Sequence, residues 1–419
     1  MTSILFVVHN FPPHWFAGVE NYSYHLAKAL NSLGMQTSVL YSHHRDGIPE
    51  PALEEETYDG IRVYKLVSDY NSPHHSDLST QITHQGKESI FADFLQRNRF
   101  DVIHFHHTKG MPFSFIRIAR EQRLPVCVTL HDFWFLCVNV HLYNEPANSP
   151  CNGPYTLEHC VQCLRSKIQY QVSPEEQSIL NKWIHFRISH AMDILQNVEC
   201  IVSPSRYLAD IYHRFGISKH IEIYPLGLNN LRKSFRSTSA PVVFGFLGMI
   251  HDLKNVYLLA DAFKATPGDA HLKYFGNGAD HHIQKLLATI EGDERISYHG
   301  KYLPEQLSDI LDQIDIVVLP SMTENYPLVV REAFSAGVPV LASRIGGIPE
   351  IVTHLHDGIL FNPTDKEELR KWLQMLIEKP SLVAEIKKNI RPVKSIEQDA
   401  QEWALRYSQL SGNPPEKLV

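Results

Sequence analysis

The stretch IDIVVLPSMTENYPLVVREAF, residues 314–334, indicates how this chain folds. A short apolar run predicts a buried strand, a polar loop follows it, and Pro327 suits the first turn of a helix that ends at Gly337. Two carboxylates flank that proline: Glu324 falls in the loop and Glu332 on the second turn of the helix. A strand, a loop and a helix in this order form the repeating unit of parallel α/β sheets.

The same alternation runs along the chain on both sides of a polar stretch, NNLRKSFRSTSAP, which we interpret as a linker. Apolar runs before it predict strands at SILFVV, QTSVLYS, FDVIHFHH, LPVCVTLHD and VECIVSPS. Runs after it predict strands at VVFGFLG, HLKYFGNG, RISYHGKY, IDIVVLPS, PVLAS and GILFNP. We expect two α/β domains with open parallel sheets, residues 1–228 and 229–395. An amphipathic helix at about residues 396–412 is expected to pack back onto the first domain.

Charge and hydropathy exclude several classes of protein. The 419 residues contain 39 Lys and Arg against 46 Asp and Glu, a net charge of −7, and no basic block that would indicate a nucleic-acid partner. No apolar run approaches the ~18 residues of a membrane helix, and the N-terminus lacks the basic region and cleavage site of a signal peptide. We expect a cytoplasmic protein, with peripheral contact at the inner face of a membrane left open.

The two carboxylates of the opening stretch are spaced for a ligand with polar groups at both ends. Eight helical steps of about 1.5 Å separate Glu324 from Glu332 by roughly 12 Å. Between them, the free amides of Leu328 and Val329 at the helix start would bind an anion, because the helix dipole favours negative charge there. A diphosphate flanked by hydroxyl groups, as in a nucleotide-diphosphate sugar, fits this arrangement. The alternative is that both acids are ordinary surface charges.

The segment ENYPLVVREAFSAGVPVLASRIGGIPEIV resembles the E-x7-E region of the family-4 retaining glycosyltransferases, and the resemblance extends over nearly the whole chain. It implies the GT-B fold, in which two Rossmann-like domains face each other across a cleft. It also implies that Glu324 contacts the transferred sugar and Glu332 the ribose. The usual motif has glycines near the first Glu, where this chain has Asn325 and Pro327; we include Asn325 and Tyr326 among the donor-binding residues.

Further donor-binding residues follow from the same resemblance. Lys254, six residues after Gly248, would neutralise the diphosphate, although Met249 stands where the family usually has a second cation. Backbone groups near Gly276 and His299 would bind the nucleobase. The chain contains no D-x-D pair, so we expect no catalytic metal and assign charge neutralisation to Lys254 and the helix amides.

The first domain is expected to supply the acceptor side. Gly18, in PPHWFAGVENY, would let the backbone approach the diphosphate or the acceptor. By resemblance, His131 in TLHDFWFLC would face the transferred sugar, and the HFHH segment at 104–107 would line the acceptor side. A histidine at a strand end is also compatible with a purely structural role.

Four of the six cysteines, Cys137, Cys151, Cys160 and Cys163, fall in one long loop-like segment, and the last two form C-x-x-C. Four thiols in this pattern are compatible with a structural zinc site. Free thiols in a loop are the alternative.

The resemblance predicts a retaining transferase that moves a hexose from a nucleotide diphosphate sugar, with a UDP-sugar favoured. The acceptor would be a saccharide or a lipid-linked saccharide in surface polysaccharide synthesis. One alternative is a catalytically degenerate protein that only binds nucleotide sugars. Another is a GT-B-like enzyme such as a sugar-nucleotide epimerase or a phosphorylase. A nicotinamide dehydrogenase is disfavoured because no G-x-G-x-x-G follows a strand.

Overall fold

The computed structural model describes residues 2–69, 78–144, 146–147, 149–151, 153, 157–165, 173–234, 236 and 241–412. The chain forms two compact units. Unit 1 comprises residues 1–227 and 394–419, and unit 2 comprises residues 228–393. Residues 235 and 237–240 of the proposed linker lie outside the described residues.

Unit 1 is built on an eight-stranded sheet with the strand order β10-β9-β6-β5-β1-β2-β4-β3. Its strands are β1 (Ser3–Val8), β2 (Gln36–His44), β3 (Ala52–Tyr58), β4 (Ile61–Ser68), β5 (Val102–Phe105), β6 (Val126–Thr129), β9 (Cys200–Ser203) and β10 (Glu222–Ile223), and a separate hairpin pairs β7 (Tyr143–Asn144) with β8 (Ser149–Pro150). Its helices are α1 (Gly18–Ser32), α2 (Ser79–Ile82), α3 (Gln85–Arg97), α4 (Ser114–Glu121), α5 (Leu157–Arg165), α6 (Pro174–Gln196), α7 (Arg206–Arg214) and the last helix of the described residues, α15 (Ile396–Ser411).

The five strands predicted in the first half are confirmed as β1, β2, β5, β6 and β9, and all of them pair in parallel. Strand order reverses at β1, because β2 lies on one side of it and β5 on the other. Such a switch point opens a crevice at the carboxyl ends of the strands, where α/β proteins bind ligands.

A hairpin of β3 and β4 was missed by the sequence analysis and makes the edge of this sheet antiparallel. The two strands are joined by Asp59 and Gly60, both of which have positive φ. Asp-Gly is the preferred pair for a two-residue hairpin turn, since both central residues of that turn need positive φ. The segment YDGI therefore carried the signal for this hairpin.

The last helix packs on unit 1 through large buried side chains. Trp403 is fully buried, and its indole N–H donates to the hydroxyl of Tyr22 on α1 at 3.2 Å. Tyr407 lies 2.6 Å from Nδ1 of His104 on β5. A buried carboxylate, Asp399, accepts a hydrogen bond from the amide of Gly227 at 2.7 Å. The helix thus covers α1 and one face of the sheet near its centre.

Unit 2 is built on a six-stranded sheet with the order β13-β12-β11-β14-β15-β16. Its strands are β11 (Val242–Leu247), β12 (Ala270–Phe275), β13 (Ile296–Tyr298), β14 (Ile316–Leu319), β15 (Val340–Ser343) and β16 (Gly358–Phe361), and all of them pair in parallel. Its helices are α8 (Val256–Lys264), α9 (Asp280–Ile290), α10 (Leu307–Leu311), α11 (Leu328–Ala336), α12 (Ile348–Ile351), α13 (Lys366–Glu378) and α14 (Pro380–Lys388).

The six strands predicted in the second half are all confirmed. Four of them, β11, β14, β15 and β16, read as nearly continuous apolar runs because helices cover both faces of a parallel sheet. The order reverses between β11 and β14, so the loops that follow these two strands lie at the switch point of unit 2. Glu324 and Lys254 are carried by those two loops.

Candidate functional site

In unit 2 the two loops at the switch point bring together Lys254 and Glu324, which are 70 residues apart in the chain. The lysine Nζ lies 2.5 Å from Oε1 of the glutamate. The lysine side chain remains 31% exposed and that of the glutamate 10%. Because Lys254 is paired with Glu324, it can contact an anionic ligand in one of two ways. It either binds the ligand and Glu324 together, or it releases Glu324.

Backbone hydrogen bonds hold these loops in place. The amide of Met322 donates to the carbonyl of Leu253 at 2.8 Å, which links the loop after β14 to the loop after β11. The amide of Gly347 donates to the carbonyl of Glu324 at 3.3 Å, which links the same loop to the one after β15. Glu324 is thus positioned by three consecutive strand ends of the sheet.

The helix of the opening stretch is confirmed, with one correction at its start. Helix α11 begins at Leu328, and Pro327 is its N-cap residue with extended backbone, not the first helical residue. Leu328 and Val329 are the first two helical residues, and Gly337 ends the helix in the left-handed conformation. Proline has no side-chain acceptor for the first-turn amides, so these amides are suited to an anionic ligand.

Glu332 lies on α11, one turn beyond Leu328, and is partly buried. Burial raises the pKa of its carboxyl group to about 7, and the neighbouring Arg331 guanidinium offsets part of that rise. The pKa of Tyr302 is also raised, first by burial and then by the charge of Glu332. A carboxyl group with this pKa exists in both protonation states near neutral pH.

Among the residues between the two acids, Tyr326 in the loop contacts Arg331 on α11. The ring of Tyr326 lies under the guanidinium of Arg331, which is 5.2 Å from the ring centroid. Arg331 is 4% exposed, so this cation is not at the surface. Asn325 is partly buried in the loop that carries Glu324. Met249 is 59% exposed and supplies no charge where the family usually has a second cation.

Gly248 and Gly276 follow β11 and β12, and their backbones are in close contact. A Cβ atom on Gly276 would lie 1.7 Å from the carbonyl oxygen of Gly248, and both glycines have positive φ. The ring of His299 stacks on Phe275, with ring centroids 4.7 Å apart, and its Nε2 lies 2.8 Å from the hydroxyl of Ser297. Gly276 is buried, and its amide donates to the carbonyl of Gly300 at 2.8 Å while its carbonyl accepts from the hydroxyl of Tyr298 at 3.0 Å.

In unit 1, Gly18 and His131 both lie at the carboxyl edge of the sheet. Gly18 is the first residue of α1, not a loop residue, and is not one of the described glycines with positive φ. His131 follows β6, and its Nε2 lies 3.3 Å from Nδ1 of His106, which follows β5. Burial lowers the pKa of His131 to about 3, against the opposing effect of Asp132, so this imidazole is neutral at physiological pH.

Two carboxylate–histidine pairs lie beside His131. Of their four members, only His107 in the HFHH segment was named from the sequence. Glu20, which is 1% exposed, lies 3.0 Å from Nε2 of His9. Asp132 lies 3.1 Å from Nε2 of His107. The two histidine rings are 4.2 Å apart, so the pairs form one cluster at the ends of β1, β5 and β6.

The carboxylates of this cluster are ionised despite their burial. The contact with His9 outweighs burial and lowers the pKa of Glu20. Likewise, the charge and hydrogen bond of His107 outweigh burial and lower the pKa of Asp132 to about 2. Burial lowers the pKa of His107 itself, against the effect of Asp132. The cluster thus concentrates hydrogen-bonding groups at the switch point of unit 1.

The four candidate zinc ligands lie in one region of unit 1. The pKa of Cys160 is raised to about 12, first by burial and then by Cys137, Cys151 and Cys163, which are all close to it. Among the residues that the structure describes, no three of these sulfurs lie within 4.8 Å of one another. The four thiols therefore lie in the same region, but their sulfur atoms are not arranged as a tetrahedral metal site.

Solved structures of glycosyltransferases share this two-unit architecture. The sucrose-phosphate synthase of Thermosynechococcus elongatus has a TM-score of 0.71 and 18% identity, over 98% of this chain and 100% of that one. HepE of Anabaena in complex with UDP and glucose has a TM-score of 0.67 and 17% identity, over 97% and 100% of the two chains. The fold is therefore that of the GT-B glycosyltransferases, as the sequence predicted.

The chain belongs to glycosyltransferase family 4. The model of that family matches residues 16–230, and a model described as glycosyl transferases group 1 matches residues 241–379. Among curated relatives, a D-inositol 3-phosphate glycosyltransferase of Corynebacterium urealyticum is 23% identical over 84% of this chain and 80% of its own length. The N-acetyl-alpha-D-glucosaminyl L-malate synthase of Bacillus anthracis is 22% identical over 65% of this chain and 64% of its own length. The match to the sulfoquinovosyl transferase of Arabidopsis thaliana, at 32% identity, spans 28% of that relative and 35% of this chain.

Proposed function

We propose that this glycosyltransferase moves a hexosyl group from a UDP-sugar to a hydroxyl group of a saccharide or lipid-linked saccharide, with retention of configuration. The observation that carries the proposal is the arrangement in unit 2 of Lys254, Glu324 and the start of α11 at the switch point, with Glu332 one turn further along the helix. Solved relatives in complex with UDP and with UDP-glucose support this choice of donor.

In this proposal each part of the site has a separate role. The amides of Leu328 and Val329, together with Lys254, bind the diphosphate. Glu324 accepts hydrogen bonds from hydroxyl groups of the transferred sugar, and Glu332 accepts them from the ribose. Backbone groups of Gly248 and Gly276 and the region of His299 bind the remainder of the nucleotide, with Asn325 and Tyr326 in the donor loop.

The proposed reaction occurs on one face of the sugar. The bond between the anomeric carbon and the diphosphate oxygen breaks, and the bond to the acceptor oxygen forms on the same face. The acceptor proton passes to the leaving diphosphate oxygen, whose developing charge is stabilised by Lys254 and the helix amides without a catalytic metal. His131 contacts a hydroxyl group of the transferred sugar, and Gly18 at the start of α1 lies on the acceptor side.

A role in surface polysaccharide synthesis is part of the same proposal. It is supported by similarity to a lipopolysaccharide 1,2-N-acetylglucosaminetransferase of Salmonella typhimurium, which is 27% identical over 42% of this chain. None of the helices in the described part of the chain has both the length and the apolar character needed to cross a bilayer.

Peripheral membrane contact is supported by one face of α6, where Ile179, Trp183 and Phe186 are 53%, 36% and 51% exposed. Aromatic side chains on an exposed helix face favour the interface of a bilayer. We expect the double variant Trp183→Ser/Phe186→Ser to lose co-sedimentation with anionic phospholipid vesicles. Equal sedimentation of the variant and the native protein would rule this contact out.

A substitution at Glu324 tests the reaction. We expect Glu324→Gln to lower the rate of transfer at least ~100-fold because the sugar loses a charged hydrogen-bond acceptor, as when one stabilising group is removed from a transition state. The exposed Glu291→Gln serves as a matched control and should leave the rate unchanged. The rate would be measured as UDP release in the presence of acceptor, and product NMR would report the anomeric configuration. Undiminished transfer by Glu324→Gln would refute the assignment.

A catalytically degenerate protein is the second candidate, and the exposed Met249 favours it because one expected cation is missing. Calorimetry separates the two candidates. Binding of UDP-sugars with neither transfer nor donor hydrolysis over a range of acceptors would support the degenerate protein, whereas turnover would exclude it.

A further inference from the structure

The segment between β6 and α6 contains four cysteines, which lie on separate parts of its backbone. Cys137 lies in the turn after β6, and Cys151 directly follows β8 of the small hairpin. Cys160 and Cys163 lie on α5, three residues apart. Helical residues with this spacing project from the same face. Two thiols therefore come from the turn and hairpin, and two come from one face of a short helix.

Contacts between the hairpin and α5 bring these two pairs towards each other. The sulfur of Cys163 lies 4.0 Å from the carbonyl oxygen of Tyr143 and 3.8 Å from the side-chain oxygen of Asn144, both on β7. The sulfur of Cys151 accepts a hydrogen bond from the amide of Gly153 at 3.4 Å. Amide donors to sulfur are typical of the surroundings of metal-bound thiolates, since they stabilise the negative charge.

A buried cation beside the thiols is the second observation. Arg187 on α6 is completely buried, and its guanidinium lies 5.0 Å from the ring centroid of Phe113 and 4.7 Å from that of Trp134. Its Nε donates to the side-chain oxygen of Gln81 at 2.6 Å, and its Nη2 donates to the carbonyl oxygen of Trp134 at 2.5 Å. Both of these oxygens are neutral. Its Nη1 is buried and has no hydrogen-bond partner in the described part of the chain. A buried guanidinium of this kind is costly unless negative charge lies nearby.

The groups that act electrostatically on this guanidinium are Cys137, Tyr212, Asp132 and Cys160, so two of the thiols lie near it together with an ionised carboxylate. Burial lowers the pKa of Arg187 to about 10, and Cys137 is the first of the neighbours that oppose this effect. Zinc binds the thiolate form of cysteine and releases its proton, so a bound ion places negatively charged sulfur beside this guanidinium.

We propose that Cys137, Cys151, Cys160 and Cys163 hold a structural zinc ion and that Arg187 is its buried counter-charge. Binding replaces four S–H protons with four Zn–S bonds and leaves a centre with a charge of −2, part of which Arg187 balances. Zinc–sulfur bonds of about 2.3 Å place the sulfurs about 3.8 Å apart in a tetrahedron. Because the sulfurs are more widely spaced in this structure, closure requires rotation of the cysteine side chains.

Metal content of the full-length protein is the first test. The protein would be purified without an affinity tag or metal column and dialysed against a weak chelator, and its zinc would then be measured by inductively coupled plasma mass spectrometry. We expect about one equivalent of zinc. Less than a tenth of an equivalent would overturn the proposal, as would iron with acid-labile sulfide, which indicates an iron–sulfur cluster.

Variants then locate the ion. The double variant Cys160→Ser/Cys163→Ser should lose the zinc. Cys200→Ala, outside the cluster, and His44→Ala, in the compact surface group His44, Asp46 and Asp69, should keep it. Zinc retained by the double variant, or lost from His44→Ala, would place the ion elsewhere.

Substitution of cobalt for zinc tests the set of ligands, and variants at Arg187 test the counter-charge. Cobalt(II) in place of zinc should give the strong thiolate-to-metal absorption of a tetrahedral sulfur site, and its absence would contradict the ligand set. Arg187→Met should release zinc to a chromogenic chelator at a concentration roughly 10-fold lower than the native protein needs, as is usual when a group supporting metal ligands is removed. Arg187→Lys should stay closer to the native value. Identical release by Arg187→Met would remove the arginine from the proposal.

Discussion

At the scale of single residues, Glu332 differs from Glu324 in its electrostatic surroundings. Glu324 is paired with a lysine, whereas the guanidinium of Arg331 only partly offsets the burial of Glu332. The pKa of Glu332 is accordingly raised to about 7. Its ionised form is the one that accepts hydrogen bonds from two ribose hydroxyls. The donor should therefore bind with release of a proton from Glu332 near neutral pH.

This difference predicts a pH dependence of donor affinity. If UDP binds the ionised form, affinity is proportional to the ionised fraction and should rise about 10-fold between pH 6 and pH 8. Calorimetry in buffers of different ionisation enthalpy would measure both the affinity and the protons released. Glu332→Gln should bind more weakly at pH 8 and lose the dependence. A dependence that persists in this variant would assign the titration to another group.

Without a ligand, the same pKa predicts the opposite trend in stability. In the unfolded chain this carboxyl group loses its proton near pH 4.5, and in the folded protein it does so near pH 7. Between these values the folded state binds more protons, so the contribution of Glu332 to the free energy of unfolding falls as pH rises, and is constant above about pH 8. Glu332→Gln should flatten this part of the stability profile.

At the scale of strands, helices and loops, the sequence predicted what short-range patterns encode. Five parallel strands of unit 1, the six strands of unit 2, the start of α11 to within one residue and its end at Gly337 follow from apolar runs, proline and glycine. The parallel strands β4 and β10 were not predicted. The cluster of His9, Glu20, His107 and Asp132 could not be predicted as a unit. Its members follow different strands, and only the strand order brings them together.

The loops after β11 and β12 provide a prediction at this scale. In Gly276→Ala the new Cβ would overlap the carbonyl of Gly248, at 1.7 Å, and would also strain a residue with φ of 148°. We expect a loss of about 2–4 kcal/mol in the free energy of unfolding of unit 2, since both a clash and backbone strain are introduced. Urea unfolding would measure it.

The control for this variant is Gly292→Ala. Gly292 also has positive φ, but a Cβ there would meet nothing within 4 Å. We expect a loss of about 1 kcal/mol from backbone strain alone. Equal losses in the two variants would show that the contact between the loops adds nothing to stability.

At the scale of the whole molecule, the chain crosses from unit 1 to unit 2 and returns. Residues 394–419 end the chain but belong to unit 1, where Trp403 and Tyr407 fill its core. Each unit has its own sheet and its own buried core. A chain with two separate cores can unfold in two steps, and each step then reports on one unit.

We assign the donor site to unit 2 and the last helix to unit 1. This assignment predicts how a substitution in that helix and the binding of UDP shift the two unfolding steps. Trp403→Ala should lower the melting temperature of unit 1, because removing a large buried side chain costs about 3–5 kcal/mol. It should leave the melting temperature of unit 2 unchanged. UDP at 100 times its dissociation constant should stabilise unit 2 by about 2.7 kcal/mol and leave unit 1 unaffected. Scanning calorimetry of both proteins with and without UDP would measure all four values. A UDP-induced shift of the transition that Trp403→Ala lowers would place the nucleotide on unit 1 and overturn the assignment of the donor site.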